Sequence, residues 1–161
     1  ELLKQAGMSF RRQERSLFAR CGELPIDITF LRTDDIPVLC AEGAIDMGIT
    51  GSDLIAEAGV ELHPRLALGF GRCRLVVAAP RERRNTSWQS QSSLRVATKY
   101  PYLAREHFLS HGVSAEILRV SGSVELAPRA GLADAHSFRD MFIRKLFAGQ
   151  TRVIDVGHVC D

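Results

Sequence analysis

The stretch Leu94-Arg-Val-Ala-Thr-Lys-Tyr-Pro-Tyr-Leu-Ala-Arg-Glu-His-Phe-Leu-Ser-His-Gly-Val-Ser-Ala-Glu-Ile-Leu-Arg-Val120 reads as strand, helix and strand in succession. Leu94 to Thr98 has the length and apolar content of a buried strand. Pro101 stands where a first helical turn accepts proline, and Gly112 follows the helix end at Ser110. Ala115 to Val120 supplies the second strand. Two strands joined through a helix form the repeating unit of a mostly parallel α/β sheet.

The same alternation extends in both directions. Upstream, Glu1 to Gly7 reads as the last turns of a helix stopped by glycine, and Pro25 opens a strand over Ile26 to Leu31. Asp34 or Asp35 then caps a helix with Pro37 in its first turn, ending at Gly43. A strand follows over Ile45 to Thr50, then a short helix from Gly51-Ser-Asp53 to Gly59, then a buried strand over Arg74 to Ala79. Downstream, Ser123 to Ala130 is expected as a helix ended by Gly131. Residues 80–93 carry polar breakers without a period and read as a connection. The expected organisation is a first α/β lobe over 1–79, a linker over 80–93, a second lobe over 94–135 and a divergent segment over 136–161.

Composition narrows the function classes. With 161 residues, 45% hydrophobic and 25% charged, the chain can bury a core. No apolar run approaches the roughly 18 residues of a membrane span. A net charge of +2 is too small for a general nucleic-acid binder. Arg81 to Arg84 therefore reads as a soluble connection rather than a basic recognition patch. Cys21, Cys40, Cys73 and Cys160 match neither a metal-knuckle spacing nor a disulfide framework, so a reducing cytoplasm is the default.

Several residues can face a ligand. Gly48 and Gly51 let backbone approach a bound group where a strand ends, and Ser52 or Asp53 can cap the next helix; a tight turn with no ligand is the competing reading. Ser121-Gly122-Ser123-Val-Glu125 repeats that device in the second lobe. Glu125 either complements a helix dipole or accepts from sugar hydroxyls. Arg32 either pairs with phosphate through its planar fork or is solvated. Thr98, Lys99 and Tyr100 lie between a strand and a helix, in the cleft or at the surface. Cys73 reads as packing, and the four-residue spacing of His107 and His111 as a solvated helix surface lacking a third metal ligand.

Five motifs in order strongly resemble the ATP phosphoribosyltransferase family: Phe30-Leu-Arg-Thr-Asp-Asp-Ile-Pro37, Gly48-Ile-Thr-Gly-Ser-Asp-Leu54, Gly69-Phe-Gly-Arg-Cys-Arg-Leu75, Ala97-Thr-Lys-Tyr-Pro101 and Gly122-Ser-Val-Glu-Leu-Ala-Pro-Arg-Ala-Gly-Leu-Ala-Asp134. The similarity runs from about residue 1 to Ala135. It implies an α/β, two-lobed catalytic region like that of type II periplasmic binding proteins, with substrates in the cleft between the lobes. The implied reaction moves phosphoribosyl from phosphoribosyl pyrophosphate to the adenine ring of ATP and releases pyrophosphate, opening histidine biosynthesis. Magnesium is implied on the substrate phosphates, and a homo-oligomer, with or without a regulatory subunit, as the assembly. Arg32, Asp53 and Leu54 match positions lining the nucleotide and phosphoribosyl site, and Glu125 matches the residue facing the ribose. Thr98 and Tyr100 complete the implied lining, and Gly51, Gly122 and Ser123, read from the glycine turns and helix starts, are expected to bind substrate beside them.

Two departures qualify that expectation. The family opens with a strand and a lysine, glycine and arginine segment of the cleft, which here would precede Glu1, so the first lobe is expected to lack a strand. Past Ala135 the family continues with an isoleucine, an aspartate and a glycine- and threonine-rich phosphate loop. This chain instead reads His136-Ser-Phe-Arg-Asp-Met-Phe-Ile-Arg-Lys-Leu-Phe-Ala-Gly-Gln-Thr-Arg152, which does not align with that loop. Met141, Phe142, Ile143, Leu146 and Phe147 are expected to form an apolar helical face over the sheet. The isolated chain is therefore expected to turn over negligibly, and a non-catalytic nucleotide- or anion-binding module is the alternative.

Overall fold

The computed structural model describes residues 2–11, 13, 15–80, 93–140 and 151–160. Its largest element is a five-stranded sheet in the order β5-β4-β6-β3-β7. These strands are β3 (Cys73–Pro80), β4 (Leu94–Thr98), β5 (Ala115–Arg119), β6 (Ala135–Asp140) and β7 (Thr151–Cys160). Ahead of them lie α1 (Leu2–Gln5), β1 (Phe18–Arg20), β2 (Asp27–Thr29), α2 (Ile36–Ala41) and α3 (Ser52–Ala58); α4 (Pro101–Ser110) and α5 (Leu126–Arg129) follow β4 and β5.

The unit β4-α4-β5 forms as its residues dictate. Pro101 takes the first turn of α4, and Gly112 adopts φ +72° after the helix end. β4 and β5 pair in parallel from Leu94↔Ala115 to Thr98↔Arg119. The chain then crosses β4 through α5, and β6 pairs in parallel on the other side of β4, from Val96↔Ala135 to Thr98↔Ser137. Val77, Leu94, Val96, Phe108, Val113 and Ala135 close into one core cluster where α4 covers the sheet.

β3 departs from the expected organisation. It runs antiparallel to both β6 and β7, so the sheet is mixed rather than uniformly parallel. Although the expected boundary puts residues 74–79 in the first lobe, they sit inside this second sheet. The physical reason is their burial: Leu75 through Ala79 are all buried, which for a strand requires neighbours on both edges and cover on both faces. β7 and all of β6 past Ala135 lie in the segment read as divergent, where no strand is expected. The helical face expected over residues 141–147, and most of the 80–93 connection, lie outside the described residues.

The first half is sparser. β1 and β2 form a two-stranded antiparallel ribbon, Phe18↔Thr29 to Arg20↔Asp27. The strand expected over 26–31 is present as β2, and the helix with Pro37 is present as α2. The strand expected over Ile45 to Thr50 does not form. A strand persists through its ladder, and among the described residues no strand runs beside this one. Gly48 there packs so closely on α2 that a Cβ would lie 2.3 Å from Ile36 Cγ2. The helix expected over 123–130 shrinks to α5, because Ser123 takes φ +49° and Glu125 becomes the residue preceding the helix.

Candidate functional site

The sheet reverses its winding at the carboxyl end of β4. From that strand the chain goes to β5 on one side, and from β5 to β6 on the other; a switch of this kind is where open α/β sheets hold ligands in a crevice. Thr98, His136 and Ser137 are fully buried at this end of the sheet. The Thr98 hydroxyl accepts from the Tyr100 N–H at 2.9 Å, and the Thr98 carbonyl accepts from the Val120 N–H at 2.9 Å. The second bond ties the loop carrying Gly122, Ser123 and Glu125 to the end of β4.

Glu125 is half-buried and acts electrostatically on His136. Burial pushes the His136 imidazole below its ordinary pKa, and the Glu125 charge opposes that shift without overcoming it. Gly122 borders open space: a Cβ placed there would meet nothing within 4 Å.

A second group of predicted residues comes from the first half. Gly51 precedes α3 with extended backbone (φ −81°, ψ 146°), and Asp53 and Leu54 are buried in the helix's first turn. Leu54 packs with Leu75 and Tyr100. Arg32 is exposed in the β2–α2 loop, where its carbonyl accepts from the Asp35 N–H at 3.0 Å. That loop is tied to the α3 approach, since the Thr50 hydroxyl donates to the Thr33 carbonyl at 3.2 Å. It is also tied to β4, since Lys99 Nζ lies 2.7 Å from Asp34 Oδ2.

The predicted residues thus fall into two groups, each tied to the end of β4 by its own contacts. Leu54 and Tyr100 make direct contact, but as apolar packing, and Thr98 is spent on a backbone bond rather than presented to solvent. Gly51, Asp53 and Arg32 reach β4 through α3 and the Asp34 pair; Gly122, Ser123 and Glu125 reach it through Val120 and His136. Sequence reasoning missed two residues. His136 counted only as the start of a divergent tail, and Glu57 carried no local motif, although its spacing from Asp53 places both on one side of α3. The rings of His107 and His111 lie 4.6 Å apart between centroids, tilted by 51°, yet among the described residues no three metal-ligating side chains stand together. A separate cavity of about 800 Å³, lined by Lys4, Ser9, Phe10, Arg11 and Arg20 among others, includes none of the predicted site residues.

Comparison with known proteins places these features in context. Residues 32–136 match the family model described as HisG: ATP phosphoribosyltransferase. The ATP phosphoribosyltransferase of Rhodopirellula baltica is 54% identical over 134 residues, covering 83% of this chain and 45% of the relative. That of Methanopyrus kandleri is 45% identical over 136 residues, covering 84% and 48%. This chain therefore spans about half the length of the curated relatives it matches. A solved ATP phosphoribosyl transferase (HisG:HisZ) complex from Thermotoga maritima superposes with a TM-score of 0.83 at 28% identity, covering 98% of this chain and 75% of that one. The fold is accordingly the α/β, periplasmic-binding-protein-like one expected from the resemblance.

Proposed function

Because the chain belongs to the ATP phosphoribosyltransferase family, we propose that it is part of the catalytic region of an enzyme joining phosphoribosyl pyrophosphate to ATP, the first step of histidine biosynthesis. In that reaction the bond from the ribose anomeric carbon to pyrophosphate breaks and a bond from an adenine ring nitrogen forms. Positive charge develops on the sugar and negative charge on the departing pyrophosphate. No protein nucleophile is needed; positioned polar groups suffice.

The observation that carries this reading is the family match over 32–136, whose span includes both groups of predicted residues at the end of β4. Glu125, beside the open space at Gly122, is proposed to accept from the ribose hydroxyls and to face the developing positive charge. Asp53 and Gly51 are proposed to form the opposite rim of a crevice there, and Arg32, exposed, to meet substrate phosphate. Thr98 and Tyr100 are proposed to set the shape between them. Magnesium is proposed to arrive bound to the substrate phosphates, where it neutralises charge on the leaving group.

We place the enzyme in the cytoplasm; none of the described helices is long and apolar enough to cross a membrane. Self-association, with a regulatory subunit such as the two-component Thermotoga complex suggests, is proposed from that neighbour and from the exposed apolar side chains of Phe18, Leu66 and Phe70. A non-catalytic nucleotide-binding module is the second reading, favoured by the sequence after Ala135, which does not align with the family's phosphate loop.

The test is calorimetric titration of this chain with AMP, followed by assay of pyrophosphate release with ATP, phosphoribosyl pyrophosphate and magnesium. Saturable heat with release at background is expected. No heat and no melting-temperature shift at millimolar AMP overturns the nucleotide site; robust release overturns the expected inactivity of the chain.

A further inference from the structure

The first turn of α4 is capped from another part of the molecule. A helix start leaves its first amides without intrahelical acceptors, and the residue before the helix commonly supplies one. Tyr100, which occupies that position, offers no side-chain cap. Pro101 has no N–H, and the Thr98 hydroxyl is engaged by the Tyr100 amide. Glu57, in the last turn of α3, supplies both acceptors instead: Oε1 accepts from the Tyr102 N–H and Oε2 from the Leu103 N–H, each at 3.0 Å.

This capping is embedded in a joint. Leu54, Tyr100 and Leu103 pack together beneath it, and the Lys99–Asp34 ion pair closes one side. Negative charge at a helix start is also favoured by the helix dipole. Asp53 and Glu57 lie one turn apart on α3, so the group that holds Glu57 also sets the height of Asp53 and Gly51 over the crevice. The opposite end of the joint is the Thr98–Tyr100 loop at the carboxyl end of β4.

From this arrangement we propose that Glu57 is a positioning residue: by capping α4 it fixes the Gly51–Leu54 rim against the Thr98–Tyr100 loop, without itself touching substrate. As a statement about nucleotide binding this rests on the functional reading above; as a statement about the joint it does not. The amides of Leu54 and Ile55, which donate to the Gly51 carbonyl at 3.1 and 3.3 Å, report the rim. Those of Tyr102 and Leu103 report the cap.

The experiment uses the whole chain with Glu57→Ala, and with Glu57→Gln as a near-isosteric variant that keeps one acceptor oxygen. Hydrogen exchange is followed without ligand, and AMP affinity is measured well below each variant's melting temperature. Glu57→Ala is expected to speed exchange about tenfold or more at Tyr102 and Leu103 and also at Leu54 and Ile55, and to weaken AMP binding by about tenfold, the size of a lost hydrogen bond to a charged group. Glu57→Gln is expected to fall between. Faster exchange confined to Tyr102 and Leu103, or AMP affinity unchanged in both variants, overturns the positioning role. If the unaltered chain binds no AMP, the functional reading fails, and the exchange at Leu54 and Ile55 still decides whether Glu57 couples the two edges.

Discussion

The five-stranded sheet and the ribbon half of this molecule bury their apolar side chains to very different degrees. Around β3 and β4, Val76, Val96 and Ala97 are fully buried, and Phe108 of α4 is 1% exposed. Over residues 17–70, Phe18 is 66% exposed and Met47 79%, with Leu17, Ile49 and Leu66 also facing outward. The sheet has strands on both sides of β3, β4 and β6 and helices to cover them; the ribbon has two three-residue strands and, among the described residues, no third. Buried apolar area is the dominant favourable contribution to folding. The sheet is therefore the body that holds the molecule together, and α2 and α3 are carried on it through the joint with α4.

The largest expected effect separates these halves with one kind of change. Phe108→Ala should cost about 3–5 kcal/mol, because the ring is enclosed by Val77, Val96, Val113 and Ala135 and the sheet cannot collapse to fill the hole. Phe18→Ala should stay within about 0.5 kcal/mol, as for other surface substitutions. Chemical denaturation of the two variants checks this, and equal losses would show that the ribbon half is packed as tightly as the sheet.

A smaller effect probes a polar contact within the sheet. Asp134 precedes β6 and is buried. Its Oδ2 accepts from the Arg95 backbone N–H at 2.9 Å, its own N–H donates to the Arg95 carbonyl at 2.8 Å, and the Arg95 guanidinium closes on it at 3.3 Å. The Arg95 side chain is 40% exposed, so solvent screens the ion pair and the buried backbone bond carries most of the effect. Asp134→Ala should cost about 1.5–3 kcal/mol by leaving that amide without its acceptor. A midpoint shift in urea that persists in high salt is the expected signature; loss of the effect in high salt would transfer it to the ion pair.

The same contrast explains what was legible in the residues. β4, α4 and β5 could be placed because each boundary carries a local signal: Pro101 at the helix start, Gly112 after its end, and apolar runs of strand length on either side. Ile45 to Thr50 has equally good strand chemistry, but a strand also requires a neighbour, which no window of six residues can supply. β7 is legible in part, since Val153-Ile-Asp-Val156 is rich in β-branched residues. On the site, Gly51, Asp53 and Glu125 were singled out by their place between strand and helix. Glu57 was hidden because its partners stand 45 and 46 residues away. Thr98 and Tyr100 are expected in the lining, and their side chains are engaged inside the fold, Thr98 by the Tyr100 amide and Tyr100 by packing with Leu54 and Leu75.

The smallest effect concerns pH and again divides the halves. His136 lies on β6, opposite Ala97 on one side and Ala78 on the other, with its ring fully buried. Burial lowers its pKa, with Glu125 partly opposing. In the unfolded chain the imidazole takes up a proton as pH falls through about 6.5, while in the folded chain it stays neutral to a lower pH. The unfolded state then binds more protons, so stability must fall as pH drops below about 6.5 and level off above it. In the ribbon half, Asp27 is held below the usual carboxylate range by hydrogen bonds from Arg20, and Glu23 by those from Ser9. Their contribution is present above the ordinary carboxylate range and is lost only as pH falls through and below about 4.5. Melting temperature followed from pH 7.5 to 5.5 therefore isolates the sheet. It should decline toward the acid end in the unaltered chain and stay flat in His136→Asn, which cannot take up a proton. A decline of equal slope in both would remove His136 as the cause and move the sensitivity to another group.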